Sequence, residues 1–304
     1  MKKSLAGLSL RDLEYVEAVA ELQHFGRAAE RCHVSQPALS EQVRKLEAHL
    51  GAAIFERTKR RVAITPQGAV LLLHIERILT EARNLMAIGR EGVELFGVLH
   101  LGAIETLGPY YLPALLKLLR AEKPDVSLRL TENRTGGLVE RLRHGGLDLI
   151  LAVATPEMSG LSHAALFFEP FVLATPIQHP LGILPRIQLD SLPVEDLLLL
   201  EESHCLRDQA LALCAGAPSA TRHTTSLETL WHMIAAGDGY SLLPLLAIAA
   251  RPDLATLIAC RRLDQPNAGR VISLIWRASD PRDAQFRALA ALLRSHAPEG
   301  VIEA

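Results

Sequence analysis

Cys205 directly follows His204 and stands two residues before Arg207. A cation near a thiol favours the thiolate, the nucleophilic and oxidisable form, so this segment holds the residue types for thiol chemistry. A lone cysteine in an α/β domain also serves as a small buried hydrophobe, and Cys32 and Cys260 read that way. Cys214 lies nine residues beyond Cys205, at the end of the apolar run Ala210-Leu211-Ala212-Leu213, and by itself it too reads as buried. If the intervening segment is helical, the two residues are separated by about 13 Å along its axis at ~1.5 Å per residue. That exceeds the ~7 Å between Cα atoms that a disulfide spans. A bond between them would form only after oxidation of Cys205 and opening of the helix, and would act as a conformational switch. The four cysteines are too few and too scattered for a secreted disulfide scaffold, and they lack the paired short spacings of a zinc site. No metal and no cofactor are expected.

These residues need a frame that brings them together. From Val98 onward short apolar runs alternate with helical segments: Val98 to Leu101, Tyr110 to Arg120, Val126 to Leu130, Leu138 to Arg143 and Leu147 to Val153. This is a βαβαβ pattern, punctuated by Gly136-Gly137 and Gly145-Gly146, and it predicts a sheet flanked by helices on both faces. Ligands of such folds bind beyond the carboxyl ends of the strands. The residues at strand-to-helix turns are Glu105-Thr106, Thr135, Ser203-His204-Cys205 and Thr225-Ser226. Thr225 and Glu228 have the capping-box spacing, which favours a helix cap there. For Thr106 and Thr135, capping and ligand binding are both consistent with the pattern.

The first third has a different character. Up to Thr65, eleven lysines and arginines stand against eight aspartates and glutamates, leaving the remainder acidic, so an anionic partner is expected at the N-terminal end. Apolar residues at helical spacing over Asp12 to Leu22 predict one helix, and Gly26 to Cys32 a second. A turn at His33-Val34 leads to a third helix from Gln36, with Ser35 as its N-cap and Pro37 in its first turn. Leu39, Val43, Leu46 and Leu50 form its inward stripe, while Gln36, Ser40 and Arg44 repeat on another face, where they suit base edges in the major groove. Arg57, Lys59, Arg60 and Arg61 before β-branched Val62 and Ile64 read as a two-stranded wing whose cations neutralise phosphate. An ordinary three-helix core with a solvated charged face has the same spacing. After Pro66 a helical pattern runs to about Leu95. Leu71, Ile75, Ile78, Ala82 and Leu85 form a heptad seam that calls for a second copy of the chain, hence a dimer on a pseudopalindromic operator.

With 304 residues, nearly half of them apolar, the chain is globular and has more than one core. The apolar stretch after Met1-Lys2-Lys3 stops at Arg11-Asp12, too soon for an export signal. The longest apolar run, Tyr240 to Ala250, is interrupted by Pro244 and is too short to cross a membrane. A cytoplasmic protein is expected.

The run Arg27-Ala28-Ala29-Glu30-Arg31-Cys32-His33-Val34-Ser35-Gln36-Pro37-Ala38-Leu39-Ser40, continuing through Arg44-Lys45-Leu46-Glu47, Phe55-Glu56-Arg57 and Thr65-Pro66-Gln67-Gly68, resembles the LysR-type winged helix-turn-helix. A second set resembles the hydrogen-peroxide-sensing branch of that family. It comprises Thr106-Leu107-Gly108-Pro109-Tyr110, Leu147-Asp148, Leu200-Glu201, His204 to Ala210 with Cys214, Thr225 to Leu230, and Leu242-Leu243-Pro244. The resemblance implies an α+β multidomain chain: a winged helix-turn-helix over 8–65, a dimerising linker helix over 66–95, and a periplasmic-binding-protein-like α/β sensor domain of two subdomains over 96–304. It further implies that Cys205 and Cys214 form a reversible disulfide, and that Thr106, Thr135, His204 and Arg207 hold peroxide. Gln36, Pro37, Ser40, Arg44, Arg57, Lys59, Arg60 and Arg61 would meet double-stranded DNA. The partners it implies are a second copy in a dimer or tetramer, and RNA polymerase. The chain departs from these relatives at Glu105, where they tend to carry proline, and in a shorter connection from Cys214 to Thr225. An organic effector in the cleft is the alternative signal. A thiol peroxidase would have no use for the basic N-terminal module, so an enzyme is not expected.

Overall fold

The computed structural model describes residues 5–57, 62–88, 95, 97–156, 158–184, 187, 192–201, 205–213 and 222–303. It divides into two compact units, one reaching from the N-terminus to residue 93 and including 143–146, the other made of the rest.

In the first unit α1 (Leu10–Leu22), α2 (Phe25–Arg31) and α3 (Gln36–Leu50) precede a hairpin of β1 (Phe55–Arg57) and β2 (Val62–Ile64), and then α4 (Pro66–Ile88). Ser9 caps α1 through the N–H of Asp12, and His24 caps α2 by accepting from Arg27 N through Nδ1. Between α2 and α3 the chain turns on His33, whose φ of 54° is left-handed, and Ser35 caps α3 by accepting from Ala38 N. Leu13, Val16, Ala28, Leu39, Val43 and Leu46 fill the core between the three helices. Glu47 fixes the entry to the hairpin, its Oε1 accepting from the N–H of both Ile54 and Phe55 at 2.8 and 3.0 Å. The strands pair antiparallel, Phe55 with Ile64 and Arg57 with Val62, as expected of a wing.

The Thr65-Pro66-Gln67-Gly68 segment has a physical reason for each position. Thr65 accepts from Gly68 N at 2.8 Å while donating to Ala53 O at 2.7 Å, and Pro66 opens α4, where no N–H is needed. Gly68 passes so close to the wing that a Cβ on it would lie 2.2 Å from Ile54 O. The seam on α4 differs from its expectation. Ile75 is buried with Leu72 and Leu79 against the three-helix core, a stripe at i, i+3 and i+7, whereas Ile78 and Leu85 are exposed together with Val70 and Met86. The helix thus serves its own domain with one face and leaves an apolar stripe on another. Glu17, buried on α1, receives both bonds of Arg83 Nη2 and ties that helix to α4.

The second unit holds an eight-stranded sheet. Its parallel part is β3 (Gly97–Ile104), β4 (Val126–Asn133) and β5 (Leu149–Val153), joined by α5 (Gly108–Glu122) and α6 (Thr135–Arg143), with β3 between the other two. The 16-residue β6 (Leu161–Pro176) runs through two cores. Its first half contributes Leu166 and Phe167 to a core with Leu101, Ile150, Trp276 and Phe286, and its second half contributes Phe171 and Leu173 to another with Leu230, Trp231, Tyr240 and Leu243. Around the second core lie β7 (Leu199–Leu200), α7 (Cys205–Leu213), β8 (His223–Thr224), α8 (Leu227–Ala236), β9 (Ser241–Pro244), α9 (Leu245–Ala249) and β10 (Ile258–Arg262). The chain returns through β11 (Gly269–Arg277), antiparallel to β5 and β6, to α10 (Asp283–Ser295) and the short β12 (Ile302–Glu303). The βαβαβ expectation therefore holds, and one continuous strand joins two subdomains.

A buried ionic network closes the end of β11. Arg277 donates to Leu142 O and Leu147 O and pairs with Asp280, and Arg282 bridges Asp280 and Asp148. Burial opposes the charge on Asp280, but the guanidiniums of Arg282 and Arg277 outweigh it and hold the carboxyl below the usual aspartate range. A lowered folded pKa gives stability that is complete above the unfolded value near ~3.9 and is lost as pH falls through the folded one. D280N is expected to lower the melting temperature at pH 7, with the gap to the parent protein narrowing as pH falls below about 4. For G68A, helix propensity alone would give a gain of about 1 kcal/mol. The clash with Ile54 O costs about 1–3 kcal/mol, so urea unfolding should show net destabilisation.

Candidate functional site

Thr106, at the turn from β3 to α5, is buried. Its Oγ1 accepts from Arg270 Nη1 at 2.7 Å, and its carbonyl accepts from Arg270 Nη2 at 2.9 Å. Arg270 lies at the start of β11 with a fully buried side chain, and its Nε donates to Glu169 Oε2 at 2.8 Å. The other oxygen of Glu169, on β6, accepts from Leu246 N in the first turn of α9 at 3.0 Å. One ion pair therefore holds the strand-to-helix turn of the first subdomain and a helix start packed on β6. Sequence reading missed both partners, because an arginine and a glutamate 101 positions apart carry no local signal.

Beside it opens a pocket of about 270 Å³ lined by Glu105, Thr106, Pro109, Tyr110, Thr225, Ser226, Leu227 and Glu228. Tyr110 packs against both cores, and its hydroxyl donates to Glu228 Oε1 at 3.1 Å. Burial, reinforced by the Glu228 carboxylate, pushes the Tyr110 phenol well above its ordinary range, so it remains a donor. Glu228 also pairs with Arg251, which is held in turn by Asp253. Glu132, next to Gly108 in the first turn of α5, titrates above the usual range because of partial burial and the nearby Glu105. The capping expectation at α8 is corrected: Ser226 is the N-cap, accepting from Thr229 N at 3.1 Å, and Glu228 faces Tyr110 and Arg251 instead. The helix begins one residue later than the Thr225 to Glu228 spacing suggested, with Thr225 lying between β8 and the cap.

Cys205 is the first residue of α7 and is half-buried, with its side chain against the core of the first subdomain. Its neighbour Leu206, and Ala210 one turn on, belong to the second core. Arg207 donates to Leu200 O at 3.3 Å, which ties α7 to β7. Gln209, four residues after Cys205 and so on the same helix face, has a buried Oε1 with no hydrogen-bond partner among the described residues. Thr135 begins α6 and is half-buried. The pocket brings Thr106 and Thr225 together, and neither Thr135 nor Cys205 is among its lining residues. His204 and Cys214 lie outside the described residues, as do Lys59, Arg60 and Arg61. In the first unit Gln36, Pro37 and Arg44 are exposed on α3 and Ser40 is half-buried, while Arg44 pairs with Glu41 at 2.6 Å. Among the described residues no group of three or more histidines, cysteines or carboxylates could hold a metal ion, and no helix is long and apolar enough to cross a membrane.

A wing beside a three-helix reader, followed by a two-subdomain α/β unit, defines the class of protein. Residues 10–69 match the bacterial regulatory helix-turn-helix protein, lysR family, and residues 93–298 match the LysR substrate binding domain. The chain is 39% identical over 295 residues to a hydrogen peroxide-inducible genes activator of Pectobacterium carotovorum, covering 95% of this chain and 97% of that one. It is equally identical to the DNA-binding transcriptional dual regulator OxyR of Escherichia coli, with 95% of each chain covered. Among solved structures, a full-length OxyR variant from Pseudomonas aeruginosa superposes with a TM-score of 0.74 at 39% identity, covering 94% of this chain and 95% of that one. A Corynebacterium glutamicum OxyR variant solved with hydrogen peroxide bound gives 0.65 at 33% identity, covering 94% and 92%. The chain belongs to the LysR family of bacterial transcription regulators. Within that family it falls in the OxyR group.

The corrected cap gives a direct test. S226A is expected to cost about 1 kcal/mol of stability, whereas T225A leaves the cap intact and should fall within ~0.5 kcal/mol of the parent protein in denaturant unfolding.

Proposed function

We propose that the chain is a cytoplasmic transcription activator that senses hydrogen peroxide through Cys205 and answers with a reversible Cys205 to Cys214 disulfide. The observation that carries this reading is the place of Cys205, whose side chain lies on one core while the next residue lies in the other. The unpaired N–H groups at a helix N-terminus favour an anion there. In the first step the thiolate sulfur attacks one peroxide oxygen, an S–O bond forms, the O–O bond breaks, and two electrons pass from sulfur to oxygen. The departing hydroxide takes a proton and leaves as water, and Cys205 is left as a sulfenic acid. The Cys214 thiol then attacks that sulfur, forming the S–S bond and releasing a second water. Thr106, Thr135, His204 and Arg207 are proposed to hold the peroxide and the departing oxygen.

The first unit is read as winged helix-turn-helix over 8–65 with linker helix over 66–95, and the sensor as 96–304. Gln36, Pro37, Ser40 and Arg44 enter the major groove, and Arg57, Lys59, Arg60 and Arg61 contact phosphate. For Arg44 to reach DNA it must exchange its Glu41 partner. Ile78 and Leu85, spaced by seven and exposed on α4, are the stripe offered to a second copy, giving a dimer or tetramer. RNA polymerase is the partner that activation requires. A second reading, a LysR-type regulator of an organic effector, is favoured by the pocket of about 270 Å³, a mostly apolar surface with hydroxyls and carboxylates set in it.

Mass-spectrometric thiol mapping after brief exposure to low hydrogen peroxide separates the two. An intramolecular Cys205 to Cys214 disulfide is expected in the parent protein and absent in C205S and C214S. A Cys205 that stays reduced while operator binding is normal, or a C205S variant that still induces, would transfer the signal to the pocket.

A further inference from the structure

Thr106 Oγ1 is occupied as an acceptor by Arg270 Nη1. A guanidinium only donates, so the proton of the threonine hydroxyl must point elsewhere. Among the described residues no acceptor takes it, and Thr106 lines the pocket. Arg270 thus leaves the hydroxyl committed to donate its proton to a ligand at this turn, and a bond accepted from a cation strengthens the one donated. A departing peroxide oxygen, gaining negative charge as the O–O bond breaks, needs such a donor.

What holds Arg270 in that attitude is Glu169. The two side chains are fully buried, and the carboxylate spends one oxygen on Arg270 Nε and the other on Leu246 N. With Nε fixed, the plane of the guanidinium is fixed, and Nη1 and Nη2 fall on Thr106 Oγ1 and O. We propose that Glu169 is a positioning residue for the reaction of peroxide at Cys205, acting through Arg270 to commit the Thr106 hydroxyl as a donor to the oxygen that leaves. The proposal rests on the peroxide-sensing reading of Cys205.

The test is the second-order rate of Cys205 oxidation by hydrogen peroxide in the reduced full-length protein, read by quenching with an alkylating agent and mass spectrometry. E169Q is expected to slow it about tenfold. T106V is expected to slow it at least as much, and E169Q/T106V no more than T106V alone, since two residues acting through one hydroxyl are not additive. In a T106S background, which keeps the hydroxyl, the E169Q loss returns. Should E169Q fail to fold, E169Q/R270Q, which leaves no unpaired buried charge, is measured with and without T106V and should show the same pattern. An E169Q loss that persists undiminished in the T106V background, or no loss at all, overturns the proposal while the sensor reading stands. If Cys205 of the parent protein is not oxidised by peroxide, the sensor reading fails and the proposal fails with it.

Discussion

The guanidinium of Arg270 is fully buried, and its ion-pair partner among the described residues is the equally buried carboxylate of Glu169. The site depends on that pair. Removing two charges from water is costly, and their attraction roughly repays the cost, so a pair of this kind adds little stability over an apolar replacement. Breaking it by removing one partner costs about 3–5 kcal/mol, since the survivor is left buried and unpaired. Its contribution is therefore geometric. It fixes the β3 to α5 turn and the first turn of α9 against the two strands, β6 and β11, that carry the sheet.

The strand β6 gives the sensor unit its two-part character. Its 16 residues serve two cores in succession, so the subdomains share a rigid element. Among the described residues, Tyr110 of α5 packs on each core, α7 has Cys205 on one with Leu206 and Ala210 on the other, and α9 has Leu246 on one with Ala247 on the other. A covalent change at Cys205 that unwinds α7 would withdraw apolar side chains from the second core and leave the first core's sheet intact. Two packings of one domain separated by a few kcal/mol are sufficient for such a switch.

In the DNA-reading unit the economy lies in α4. A straight helix with an apolar residue at most positions has more than one apolar face, and here Leu72, Ile75 and Leu79 complete the three-helix core while Ile78 and Leu85 remain exposed. Gly68 and Thr65 fix where that helix begins relative to the wing, and Glu17 with Arg83 holds it to α1. The face of α3 that exposes Gln36 and Arg44 is backed by core contacts of Leu39, Val43 and Leu46 on its other side.

Local patterns determined much of this in advance. The cap at Ser35, the proline at the start of α4 and the βαβαβ order all depend on residues close to one another in the chain, and such signals survive in a linear string. Where one position mattered, they also misled. The Thr225 to Glu228 spacing marks a capping box, yet the cap is Ser226 and Glu228 pairs with Tyr110 and Arg251 instead, and the seam on α4 reads as one stripe although Ile75 turns inward. The pairing of Glu169 with Arg270 and the tie from Tyr110 to Glu228 join residues more than a hundred positions apart. Only the folded chain decides these, because they depend on which strands pair, and that pairing is set by burial summed over the whole sheet.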